Sequence, residues 1–166
     1  LGVDFQTAGR LVRVRQAARF RDVQAKLGRY VRLGKKAGAH VFKTGALPAM
    51  RHGVPIVVAT VATMRKVNKM AAKVSGNTSG ARSNFARQTL SGFNPGHKLF
   101  LDPLVAWTRA LWDGILNTSI VRRAWTNALK TAGRSETPIR AAEGAAGAYI
   151  GVLCFLGWAA PQPDHI

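Results

Sequence analysis

Acids are what this sequence has least of. Among 166 residues there are seven Asp and Glu against 25 Lys and Arg, a formal net charge of +18. The seven lie scattered, with no Asp-Asp dipeptide and no cluster able to hold catalytic magnesium. The single cysteine, Cys154, excludes an internal disulfide. Together with His40, His52, His97 and His165 it gives no metal-ligand spacing. There is no nucleophile elbow, and Gly76 and Gly80 are not followed by the Gly-Lys-Ser/Thr of a phosphate cradle. We therefore assign no catalytic, cofactor-binding or metal-binding residue; if the chain belongs to an enzyme, the active site lies elsewhere. Long apolar runs are missing too. The charge-free stretch 144–160 has 17 residues and contains Gly144, Gly147 and Gly151, whereas a membrane span needs about 20 predominantly apolar ones. The stretch is expected to be a buried helix, with a membrane anchor as the alternative.

Hydrophobic residues make up 47% of the chain, enough to bury a core. At this size the excess of cations points to a polyanionic partner, because uncompensated self-repulsion would cost stability. Its placement is uneven: up to Lys98 there are 19 Lys and Arg against Asp4 and Asp22, and from Leu99 onward six against five acids. The opening residues lack the basic flank and apolar core of a secretory signal, and Leu1 is not an initiator methionine, so a piece of a longer chain is expected.

The expected fold is mainly α, one or more helical bundles with a short N-terminal strand over 1–6, where LGVDFQ alternates. The stretch 11–36 reads as one long basic helix ended by Ala37-Gly38, with Phe20, Val23, Leu27, Tyr30 and Val31 recurring at the helical period. A short helix over 40–47 should be closed by Pro48. Over 59–75, Val57, Val61, Met64, Val67, Ala71 and Val74 form an apolar stripe, with Thr60 as cap and Gly76 as terminator. The Gly/Ser/Asn-rich stretch after it reads as a linker. Asp102-Pro103 has the signature of a helix start, followed by Leu104, Trp107, Leu111 and Ile115. A further helix spans 119–132, with Val121, Trp125, Ala128 and Leu129 inward, and another runs from Thr137-Pro138 towards Leu156. The division is a basic helical region over 1–76, a linker over 77–101 and a second helical region over 102–166. Trp107, Trp112, Trp125 and Trp158 all fall in the near-neutral part and are expected in its core.

Arg15, Arg19, Lys26 and Arg29 follow one flank of the first helix, and Arg21, Arg32 and Lys36 another. Arg65, Lys69 and Lys73 stand at steps of four, with Lys66 beside them. Side chains four apart on a helix are about 6 Å apart, comparable with the phosphates of one nucleic-acid strand. The expected nucleic-acid-binding residues are Arg13, Arg15, Arg19, Lys26, Arg29, Arg65, Lys69 and Lys73, through phosphate contacts that carry no sequence information.

The order of landmarks resembles the region after the catalytic palm in reverse transcriptases of non-LTR (LINE-like) retrotransposons. The resemblance rests on Leu1-Gly2-Val3, a long basic helix, Leu47-Pro48, His52-Gly53 where the family usually has Tyr-Gly, and a second basic helix. The Asp102-Pro103 helix, the paired tryptophans and Gly157-Trp158 with Pro161 look like the connection that follows the thumb in one branch of these elements. The resemblance implies a thumb and connection segment that packs on template and primer duplex, catalyses nothing alone and works in the nucleus. From the residues alone two other readings stand beside it: an RNA-contacting structural subunit of a large assembly, and a membrane-associated protein anchored by 144–160.

Overall fold

The computed structural model describes residues 14–76, 83, 86, 88, 93–115, 117–141, 143–159 and 162–163. Among them every regular element is helical. The strand expected over 1–6 lies outside the described residues, as does Arg13. The chain forms two compact units, one of residues 1–52 and 61–99, the other of 53–60 and 100–166.

The first described helix of the first unit is α1 (Val14–Arg32), which ends four residues before the expected end at Lys36; residues 11–13 of the expected helix lie outside the described residues. It stops because Gly34 takes φ 83°, a left-handed backbone that ends the helical register. Ala37-Gly38 is no terminator and lies inside α2 (Lys35–Val41). Gly38 is there for proximity: a Cβ on it would fall on the Tyr30 carbonyl oxygen, so α1 and α2 can meet only over a bare Cα. Pro48 does not close a helix either. The chain runs from α2 through a π-helical turn (Phe42–Ala46) into α3 (Leu47–Arg51), with Pro48 in the first turn of α3. In a regular helix the Pro48 ring would press on the Thr44 carbonyl; the wider turn, in which Leu47 N–H donates to Phe42 O, relieves it.

The second basic helix, α4 (Val61–Val74), follows Thr60 and ends before Gly76, whose φ is 68°. Val67, Ala71 and Val74 are buried as the stripe predicts, while Val61 and Met64 are half-buried. Helix α1 packs on α2, α3 and α4, and α2 on α4. Between them lie Val23, Leu27, Phe42, Leu47, Met50, Val67 and Met70, each worth about 1.5–3 kcal/mol when fully removed from water. Of the stretch read as a linker, Gln88 and Gly96 are tied to α4 through one residue. Gln88 Nε2 donates to the Asn68 carbonyl at 2.8 Å, and the Gly96 N–H donates to Asn68 Oδ1 at 2.8 Å.

The next helix, α5 (Pro95–Trp112), starts a full two turns before the expected Asp102-Pro103. Asn94-Pro95 carries the same cap chemistry: Asn94 Oδ1 accepts from the His97 N–H at 3.1 Å. Pro103 sits inside the helix. In the second unit, α6 (Thr118–Gly133) is capped by Asn117, whose side chain accepts from the Ser119 N–H at 3.0 Å. The helix expected from Thr137 to Leu156 is two pieces, α7 (Pro138–Ala141) and α8 (Gly144–Leu156), separated at Glu143, which is extended. Helices α6, α7 and α8 pack together.

Two of the four tryptophans are core residues. Trp107, Trp125 and Tyr149 form a cluster with ring centroids 5.4–5.9 Å apart, walled by Val121, Ile150 and Leu153. Trp112 and Trp158 are exposed, against expectation, because Trp112 is the last residue of α5 and Trp158 lies beyond the C-terminal turn of α8. Ile115 and Leu129, expected inward, are exposed as well. Helix α8 has 13 residues, about 20 Å of rise; no helix among the described residues is long and apolar enough to cross a membrane.

Candidate nucleic-acid interface

Val23 and Leu27 fix the inward direction of α1. At 100° per residue, Arg19, Lys26, Arg15 and Arg29 then follow one side of that direction, and Phe20, Gln24 and Arg21 the other. Helix α4, oriented by Val67 and Ala71, carries Lys66, Lys73, Lys69 and Arg65 within one exposed arc.

The packing of α1 on α4 separates the expected set. On the first side of α1, Arg15, Lys26 and Arg29 are exposed, while Arg19 is half-buried and donates from Nη1 to the His52 carbonyl at 2.9 Å. Arg19 thus holds the residue that ends α3, where helix carbonyls lack partners and a cation is favoured. The other side of α1 opens on a groove shared with α4. It has a volume of about 480 Å³, Leu27 and Met70 at its floor, Phe20 on its wall and Arg21, Lys66 and Lys69 among its polar lining. Of the expected site residues that are described, only Lys69 lines this groove. Arg65 and Lys73 are exposed on the same arc of α4.

Arg21, Lys66 and Phe20 are what sequence reasoning missed as site residues. The periodicity placed Phe20 in the apolar stripe and Lys66 beside the Lys69 row, but which side of α1 faces α4 is a tertiary fact. A second aromatic lies among the cations of this unit: Lys43 Nζ stands 5.8 Å from the centroid of the Phe93 ring, within cation–π range. The second unit holds a cavity of about 270 Å³ walled by small residues of α6 and the start of α8, with Glu143 at its edge and no cation among its described lining residues.

Among the described residues no group of His, Cys, Asp and Glu is placed to hold a metal ion. Apart from Arg19, the described cations of the expected set are exposed on two helices that pack together, and are separated by helical repeats. No protein-family model, curated protein or solved structure matches this chain.

Proposed function

We propose that this chain binds nucleic acid without sequence preference, through phosphate contacts from α1 and α4, as the non-catalytic thumb-like segment of a reverse-transcriptase-like protein. The observation that carries the reading is the exposed arc of Arg65, Lys66, Lys69 and Lys73 on α4, packed beside the cationic sides of α1. Neighbouring cations on one rigid surface repel each other unless an anion lies over them, and a strand of phosphates has a matching repeat. Arg15, Lys26 and Arg29 extend the surface along α1; Arg19 contributes chiefly by holding α3.

The test is fluorescence anisotropy of the chain with an RNA/DNA hybrid and with an unrelated DNA duplex of equal length, across a range of salt. Similar affinities for both, each falling steeply with salt, support the reading. Binding no tighter than that of an unstructured peptide of equal charge contradicts it and leaves the cations to assembly contacts.

A further inference from the structure

We infer that the groove between α1 and α4 receives an unpaired nucleotide, its base against Phe20 and its phosphates on Arg21, Lys66 and Lys69. The inference rests on the nucleic-acid reading above and adds a strand state to it. A surface that met only duplex would need cations and nothing else, because stacked bases are hidden and the backbone is all phosphate. This groove combines both requirements of a single strand. It has an apolar floor of Leu27 and Met70, an aromatic wall at Phe20, and three cations with no acid among its described lining residues. Base stacking on an aromatic ring surrounded by backbone-tracking cations is how single strands are held without sequence preference. The volume of about 480 Å³ lies in the range of pockets that enclose small organic ligands, about 300–1,000 Å³. Gln24, on the same lining, offers both a donor and an acceptor to a base edge. The groove lies on the side of α1 away from Arg15, Lys26 and Arg29, but Lys66 and Lys69 belong both to its lining and to the α4 arc, so a single strand in the groove and a duplex across that arc share these two cations.

The test compares three oligomers with equal numbers of phosphates, each titrated against the whole chain by anisotropy: single-stranded oligothymidylate, the same backbone without bases, and a duplex. The base-bearing strand is expected to bind on the order of ten-fold more tightly than the abasic one. Phe20→Leu, which keeps an apolar side chain but no ring, should remove most of that difference and leave duplex affinity unchanged. Lys66→Gln with Lys69→Gln should weaken both single strands and lower the salt slope by about 1.4. Equal affinity for the base-bearing and abasic strands overturns the groove assignment, even where salt-steep duplex binding upholds the broader reading. Failure to bind any of the three overturns both. Phe20-dependent binding to vesicles containing phosphatidylserine, with no effect of Phe20→Leu on oligonucleotides, gives the groove to anionic lipid and also overturns the inference.

Discussion

Arg19 Nη1 donates to the carbonyl oxygen of His52 at 2.9 Å, joining the middle of α1 to the end of α3 across 33 residues of sequence. A side chain read from the sequence as a phosphate ligand is thereby also a structural tie. A charge-assisted hydrogen bond of this kind contributes more than a neutral one. Arg19→Gln is expected to lower stability by about 1 kcal/mol, seen as an earlier urea midpoint with the slope unchanged. Lys26→Gln and Arg29→Gln, on exposed positions, should leave the midpoint within about 0.5 kcal/mol while weakening nucleic-acid binding. Equal midpoints for all three variants would remove the structural role of Arg19.

Two glycines of neighbouring helices should respond in opposite directions. A Cβ at Gly38 would meet the Tyr30 carbonyl, whereas nothing lies within 4 Å of one at Gly28. Gly38→Ala must push α2 away from α1 and is expected to cost about 1–3 kcal/mol. Gly28→Ala, inside α1, should stabilise by roughly 0.5–1 kcal/mol. Thermal melts of the two variants check both signs.

Asn68 is the buried pin of the segment after α4, accepting from Gly96 with its side chain and from Gln88 with its carbonyl. Asn68→Ala leaves the Gly96 N–H without that acceptor and should cost about 1–3 kcal/mol. Hydrogen exchange of the Gly96 amide is expected to accelerate more than that of the α1 amides.

Burial raises the pKa of Tyr149 above its usual value, with the hydrogen bond to the Thr108 side chain acting in the opposite direction. A raised acid in the folded state keeps its proton longer than in the unfolded chain. Its contribution is therefore whole below the ordinary tyrosine range, about pH 10, and is lost as pH rises through the folded value. The melting temperature should fall on the alkaline side, and Tyr149→Phe should make that fall shallower. Tyrosinate absorbance followed through an alkaline titration gives the ionisation directly.

The helices legible in the sequence were those with an apolar stripe on one face. Val23 and Leu27 in α1, Val67 and Ala71 in α4, and Val121 and Trp125 in α6 each carried the 3.6-residue period that burial then used. Punctuation was harder, because one residue type serves several physical ends. Gly38 reads like a helix stop yet is a contact point, and the real stop is Gly34. Asp102-Pro103 and Asn94-Pro95 are locally equivalent starts, and the helix begins at the earlier one, where Asn94 Oδ1 accepts from the His97 N–H. For the interface, periodicity resolved the cationic sides of α1 and α4. It could not say that Arg21 and Lys66 would line one groove, since that depends on how α1 lies on α4.

The most direct measurement is the salt dependence of duplex affinity for the natural chain and for a variant with Arg65, Lys66, Lys69 and Lys73 all changed to Gln. If these four side chains lie on phosphates, the slope of log affinity against log salt becomes shallower by about 3.6, and by the same amount for unrelated sequences. An unchanged slope in a variant that melts like the natural chain would contradict the account, because affinity would then owe nothing to the arc of cations on α4.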